Sequence, residues 1–233
     1  MKDEVEQALL SLNRQFYDQF ARPFAESRAR PQPGFYHLLE YIRPEDSSLL
    51  DVGCGEGRFG RFLSNNAPAM EYTGIDFTEK FLQYARTGHH GTYLLRDISE
   101  PDCLDGLGQF DVVACLATMQ HIPGLGRRSQ LLREMAAHLA ESGRILLSNW
   151  QFLSSDRQRR KLVAWSEIGL TEDDVAADDY LLSWQRDGLG YRYVAHLNEV
   201  AIGEMASIAG LRIIDHFRSD GREGDLNLYT VLG

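Results

Sequence analysis

The residues best placed to do chemistry lie in one stretch, Leu49-Leu50-Asp51-Val52-Gly53-Cys54-Gly55-Glu56-Gly57-Arg58-Phe59. A short apolar run meets three alternate glycines, and Phe59, Phe62 and Leu63 then repeat at helical spacing. A strand, a tight turn and a helix start bring together glycine backbone that a ligand can approach closely and free N–H donors at a helix N-terminus. Asp51 places a carboxylate at the end of the strand, where it would repel a pyrophosphate and attract an ammonium group. The third glycine of a dinucleotide fingerprint is also missing, since Arg58 stands at that position. About twenty residues on, Asp76 ends a second predicted strand, where a carboxylate can accept both hydroxyls of a ribose. Phe77 follows, positioned to pack on a base. Either feature alone has a plainer reading, a structural glycine turn or a helix N-cap; together they have the spacing of a nucleoside site. His121, in Met119-Gln120-His121, follows a predicted fourth strand, where open α/β sheets gather their ligands.

The elements that must hold these residues alternate along the chain. Val5, Leu9, Leu12, Phe16 and Phe20 predict an amphipathic helix over 3–21. Residues 21–34, with Pro31 and Pro33, read as an extended loop, and 35–42 as a second helix. This N-terminal part reads either as a helical cap with surface arginines or as a lid over the ligand, with Tyr17, Arg28 or Arg30 facing the pocket. Strands are expected at the run ending in Asp51, at 72–75, at 92–95 before Asp97 and Ile98, at 110–116 and at 144–150. A helix carries Leu131, Leu132, Met135 and Leu139 between the last two. A helix over 199–209, with Gly210 as its C-cap, leads to two strands at 211–217 and 226–232 joined by hairpin chemistry. His89 and His90 sit between glycines in an expected exposed turn and receive no role.

Residues 151–197 differ in composition. A basic run (Arg157, Arg159, Arg160, Lys161) precedes an acidic one, with Trp165, Tyr180, Trp184, Tyr191 and Tyr193 between and beyond. The segment reads as too polar for a core strand pair and too aromatic for a passive linker, hence as a lid that covers the pocket and selects the acceptor. The expected division is a helical cap over 1–46, a cofactor-binding core over 47–150, the lid over 151–197 and a C-terminal helix and strand pair over 198–233.

At 233 residues, with 43% hydrophobic and 25% charged residues, the chain is long enough for one full domain with such additions. The net charge of −10 counts against broad nucleic-acid affinity, which rests on Lys and Arg, although a local basic patch can still serve RNA. No apolar run reaches the roughly 18 residues of a membrane span, and Met-Lys-Asp-Glu-Val is not a signal sequence, so neither a membrane nor DNA is expected as a partner. Cys54, Cys103 and Cys115 lack metal-ligand spacing and read as reduced thiols of a cytoplasmic protein, with no metal site.

Asp51-Val-Gly-Cys-Gly-Glu-Gly57, followed by Asp76, resembles motif I and the ribose carboxylate of class I S-adenosylmethionine (SAM)-dependent methyltransferases. The resemblance implies their Rossmann-like α/β fold, a seven-stranded mostly parallel sheet ending in an antiparallel hairpin. It also implies SAM as cofactor and S-adenosylhomocysteine (SAH) as product. Carried onto this sequence, the cofactor set is Tyr17, Arg28, Asp51, Gly53, Cys54, Gly55, Gly57, Asp76, Phe77, Asp97, Ile98 and Leu116. Within that set Asp97 would accept from the adenine amino group, with Ile98 against the ring. Four stretches resemble more closely the enzymes that methylate carboxymethyluridine at the tRNA wobble position. They are Tyr17–Phe24 with Ser27-Arg28-Ala29-Arg30-Pro31, Met119-Gln120-His121, the strand ending Asn149-Trp150, and Tyr191-Arg192-Tyr193-Val194-Ala195-His196. This likeness makes Arg28, His121, Arg192, Tyr193 and His196 acceptor-site candidates.

A carboxylate acceptor is already ionised at neutral pH and needs no general base, only groups that hold it. A hydroxyl or amine would need one, and His121 is the candidate. The expected acceptor is therefore an oxygen of a modified tRNA uridine or of a small molecule. An activator subunit is neither implied nor excluded by these motifs. The competing classes are a metabolite O-, N- or C-methyltransferase, a NAD-dependent oxidoreductase and a SAM-binding protein without catalysis.

Overall fold

Leu49, Leu50 and Val52 are fully buried because β1 (Ser48–Val52) lies inside the sheet with a parallel neighbour on each side. Each such side chain contributes roughly 1.5–3 kcal/mol on burial. The computed structural model describes residues 1–28 and 30–233; Ala29 of the Ser27–Pro31 stretch lies outside the described residues. Before β1 come α1 (Asp3–Glu26) and α2 (Pro33–Leu38). After it follow α3 (Arg58–Asn66), β2 (Glu71–Asp76), α4 (Glu79–Gly88), β3 (Thr92–Leu95), β4 (Phe110–Leu116), α5 (Leu125–Ala137) and β5 (Leu139–Trp150). The chain then runs through α6 (Asp156–Arg159), β6 (Leu162–Val163), β7 (Asp179–Trp184), β8 (Gly190–Ala195), α7 (Glu199–Ala209), β9 (Ile213–Ser219) and β10 (Asn227–Leu232).

The seven-stranded sheet has the order β3-β2-β1-β4-β5-β10-β9. Strands β1 to β5 are mutually parallel, while β10 runs antiparallel to both β5 and β9. Side chains from α5 and α7 (Leu131, Met135, Ile202, Met205) join the core on one face of the sheet. Those from α2, α3 and α4 (Phe35, Phe59, Phe62, Leu82) join it on the other. The strand order reverses between β1 and β4, which opens a crevice at their C-terminal ends. No helix among the described residues is long and apolar enough to cross a membrane.

Three expectations about elements are corrected. First, α1 runs to Glu26 where a loop from residue 21 was expected, so Pro23 sits inside the helix. The helix yields at Phe20, whose φ of −106° and ψ of 18° are not helical. The turn beyond is retained because Phe16, Tyr17, Phe20 and Phe24 form one buried aromatic cluster with Phe81 of α4. Pro33, by contrast, starts α2, where its missing N–H costs nothing.

Second, Leu139 starts β5 rather than continuing α5, and the closing strands begin one or two residues later than expected. Third, residues 151–197 do contain a buried strand pair, since β6, β7 and β8 form a second, antiparallel sheet. Along β7 and β8 successive side chains point to opposite faces, and both faces are buried. Leu181, Tyr193 and Ala195 enter the main core, and Leu182 and Val194 pack with Phe152 on the opposite face. The charges that gave the segment its polar composition lie mostly in the turns between.

Candidate active site

Strand β1 delivers Asp51 to the switch point, and the turn behind it opens a cleft between the sheet and α1. Gly53 has φ +78°, and a Cβ there would lie 2.2 Å from Cγ2 of Thr118, so the residue is fixed by sterics twice over. Gly55, at φ +56°, has no atom within 4 Å of where its Cβ would be and leaves open space on the cleft side. Gly57 differs: a Cβ there would meet Ala85 of α4 at 2.9 Å, and the residue does not line the cleft. The structure places it at the packing contact between α3 and α4.

Asp51 is buried and accepts a 2.6 Å hydrogen bond from the Tyr72 hydroxyl. Burial pushes its carboxyl up to about 7, and no cation among the described residues pairs with it. Asp76 is also buried, and its two oxygens accept from Gly55 N at 2.9 Å and Thr78 N at 2.8 Å. One acceptor direction per oxygen remains, which suits the two hydroxyls of a ribose. Burial raises this carboxyl to about 6. Asp97 is more fully engaged: Oδ1 accepts from Ser99 N at 3.0 Å and Ser99 Oγ at 2.6 Å, while Oδ2 is ion-paired with Arg14 of α1. Phe77, Ile98, Leu116 and Cys54 line the cleft as expected.

His121 projects into the cleft from a short 3₁₀ turn after β4. Its Nδ1 lies 3.2 Å from the Tyr193 carbonyl and its Nε2 2.9 Å from the Tyr17 hydroxyl. Burial, together with the charges of Arg192 and Arg28, lowers its pKa to about 3, so the ring is neutral at physiological pH. The Arg28 guanidinium stacks 3.4 Å from the Phe24 ring centroid. Burial and the nearby Arg58 lower its pKa to about 9. Arg192 lies 4.9 Å over Trp150 and 5.4 Å and 5.9 Å from Phe16 and Trp184. It is 3% exposed, and its Nε has no hydrogen-bond partner among the described residues.

The structure does not bring Tyr193 to the cleft. Residues 192 and 193 are neighbours in β8 and therefore point to opposite faces. The Tyr193 hydroxyl donates to Asp179 at 2.6 Å and accepts from Arg128 at 3.2 Å inside the core, so its role as a catalytic group is corrected to a structural one. Only its carbonyl reaches His121. Arg192 itself lies behind Phe16 rather than among the cleft-lining residues, and His196 packs on Phe152 at 5.6 Å. No residue of 151–197 lines the cleft; β8 braces α1. Sequence reading missed Asn13 and Arg14, which line the cleft from α1. Asn13 had a signal, as a polar residue in the buried stripe that holds Leu9 and Phe16.

A methyltransferase-domain family model matches residues 50–145, the span from β1 to β5 that builds the cleft. The fold matches that of a SAM-dependent methyltransferase from Clostridium acetobutylicum with a TM-score of 0.64 at 15% identity, over 94% of this chain and 96% of that one. The chain is a SAM-dependent methyltransferase with the class I fold. A protein of Encephalitozoon cuniculi, named as a candidate methyltransferase, is 29% identical over 93% of this chain and 92% of its own length. The tRNA (carboxymethyluridine(34)-5-O)-methyltransferase of Saccharomyces cerevisiae is 28% identical over 61% of this chain, which spans about half (49%) of the yeast enzyme. The methyltransferase assignment displaces the oxidoreductase and non-catalytic alternatives. The cleft fits SAM on its own terms, with an unpaired buried carboxyl for an ammonium, two acceptor directions for ribose hydroxyls and a cleft-lining guanidinium for a carboxylate.

Proposed function

We propose that this methyltransferase acts on an oxygen that reaches it as an anion, a carboxylate, with carboxymethylated wobble uridine of tRNA as the acceptor. The observation that carries the reading is the character of the acceptor side. His121 is neutral and already bonded through both nitrogens, and the cations Arg28 and Arg192 stand near it with no ion-paired carboxylate among the described residues. A base held at about 3 is a poor proton acceptor at neutral pH, whereas unpaired guanidiniums suit an oxyanion.

In this reading Gly53, Cys54 and Gly55 flank the amino-acid end of SAM, with Asp51 receiving its ammonium and Arg28 its carboxylate. Asp76 holds the ribose, and Phe77, Ile98 and Leu116 enclose the adenine. Asp97, largely occupied by Arg14 and Ser99, keeps a single acceptor direction for the adenine amine. Bound SAM supplies a methyl group on a sulfonium, and its transfer releases a neutral thioether that needs no proton. The protein's part is alignment: His121 with Tyr17 limits the acceptor's approach, and the charge of Arg192, acting on the His121 site from behind Phe16, favours an anion there.

Methyl-labelled SAM, offered with tRNA that carries or lacks carboxymethyluridine and with a small-molecule extract, tests the reading. Label appearing only in carboxymethylated tRNA and released as methanol by mild alkali is the expected result. Alkali-stable label, or label confined to small molecules, would overturn the tRNA ester and move the enzyme to metabolite methylation.

A further inference from the structure

Asp51 reaches the cleft with one carboxyl oxygen already taken, and the residue that takes it stands behind the cleft. The Tyr72 hydroxyl donates to Oδ2 at 2.6 Å, whereas Oδ1 accepts from no group among the described residues. Asp51 lines the cleft and Tyr72 does not. Both side chains are buried, so neither partner can readily exchange this bond for one to bulk water.

The seat of the Tyr72 ring is made by what three glycines lack. In the parallel pairing of β1 with β2, Leu49 lies beside Tyr72 and Asp51 beside Gly74. Tyr72 and Asp51 thus share one face of the sheet, and the missing side chain at 74 lets the ring lean along the strand to the carboxyl. A Cβ on Gly74 would lie 3.0 Å from Cε1 of the ring, one on Gly60 of α3 3.0 Å from Cζ, and one on Gly91 3.0 Å from Cδ1. His89 packs edge-on at 5.0 Å between ring centroids, and Tyr93 of β3 lies at 5.7 Å. The ring is held from several elements at once, with its hydroxyl aimed at Asp51.

The titratable groups that face Asp51 are Tyr72 and Asp76 from β2, Glu56 and Cys54 from the turn after β1, Tyr93 from β3 and Cys115 from β4. None is a cation. Burial, Asp76 and Glu56 all oppose a charge on Asp51, and the hydrogen bond from Tyr72 is what favours it.

We propose that Tyr72 is a positioning residue for the cofactor: by holding Oδ2 from behind, it fixes the Asp51 rotamer that turns Oδ1 to the ligand's ammonium. The inference rests on the reading of the cleft as the SAM site with its ammonium on Asp51. A merely structural tyrosine would matter equally to every ligand of the cleft. A positioning one is sensed only by ligands with an amino group. Its effect also depends on pH, because a carboxyl deprived of this donor stays protonated to higher pH.

Tyr72→Phe keeps the ring in its seat and removes only the oxygen. Calorimetric affinities of wild type and variant are compared for SAM, for SAH and for 5′-methylthioadenosine, which keeps adenine, ribose and sulfur but has no amino acid. At about pH 6.5 the expected result is about tenfold weaker binding of SAM and SAH alike, the size of one hydrogen bond to a charged group. Binding of methylthioadenosine should change less than about twofold, which also shows that the variant is folded. The ratio of variant to wild type, in which the ligand's own ionisation cancels, should narrow to about threefold by about pH 8.5. In an Asp51→Asn background, where no charge remains to be favoured, Tyr72→Phe should cost less than about twofold. Equal losses for all three ligands, a ratio constant with pH, a loss undiminished beside Asp51→Asn, or no loss at all would each overturn the proposal while leaving the cleft assignment intact. A wild type that binds none of the three would overturn both.

Discussion

Burial holds the carboxyls of Asp51 and Asp76 up at about 7 and about 6, so part of each is protonated near neutral pH while the cleft is free. A ligand that places an ammonium beside Asp51 and hydroxyl donors on Asp76 favours the ionised forms, and its binding expels protons. Affinity for SAM should therefore rise with pH through the window below about 7, by up to about tenfold per unit for each proton released, and then level off. Calorimetry in buffers of different ionisation enthalpy measures the proton count; Asp51→Asn should lower it and weaken binding. A count of zero in the wild type would contradict the ammonium assignment. His121 links the stability of the fold to pH in the same direction. Its folded pKa of about 3 lies below the usual histidine value, so the stability of its neutral ring is present above about 6.5 and is lost as pH falls toward 3. For a carboxylate acceptor, His121→Asn should retain substantial turnover, and a loss of about a hundredfold or more in kcat would instead mark a general base. Arg192→Met separates binding from folding further. A buried cation without a carboxylate partner stabilises little, so the melting temperature should hold or rise, while the acceptor KM should increase about tenfold or more and SAM affinity stay unchanged.

At the scale of elements, the contact between α1 and the β7–β8 hairpin decides the shape of the cleft. A Cβ on Gly190 would lie 2.4 Å from Cε2 of Phe20, at the point where α1 departs from helical geometry. Gly190→Ala must therefore displace α1, at a cost of roughly 1–3 kcal/mol, and should lower both the melting temperature and SAM affinity. Gly126→Ala in α5 meets nothing within 4 Å and should stabilise by a few tenths to about 1 kcal/mol. A Gly190→Ala protein as stable as the wild type would show that α1 and the hairpin are not locked. The same contact marks what sequence pattern could and could not reveal. The parallel strands were legible because each is a short apolar run bounded by turn residues, and the motifs at Gly53 and Asp76 because glycine spacing and strand-end carboxylates have local causes. β8 was not. Its alternation was visible in Arg192-Tyr193-Val194, but composition, averaged over the polar turns around it, hid a strand with two buried faces. Reading period before composition would have separated Arg192 from Tyr193 at once. Asp97 shows a different gap, because nothing local to it signals that Arg14, far away in sequence, takes its carboxylate.

At the scale of the whole molecule, an acidic chain must bring a polyanion to a buried cation. With a net charge of −10, long-range attraction for RNA is weak, and any affinity must come from a local concentration of positive charge. The run at α6 supplies one. Arg157 and Arg160 are exposed, and Lys161, half-buried at the start of β6, has its pKa lowered by burial and by the charges of Arg192 and Arg157. The exposed run and the caged guanidinium thus lie within electrostatic reach of each other, on the sheet that braces α1. If tRNA is the acceptor, phosphates should follow this track while the carboxylate settles at His121, under the charge of Arg192. Arg157→Glu combined with Arg160→Glu should then reduce kcat/KM for tRNA by about tenfold or more and flatten its dependence on salt by roughly two in logarithmic slope. SAM affinity should be unchanged, because neither residue touches the cleft. A small carboxylate would not sense the loss of distant phosphate contacts. Unaltered turnover in the double variant would therefore point away from RNA, and a steep fall with an unchanged salt slope would point to damage in the small sheet rather than to lost phosphate contacts.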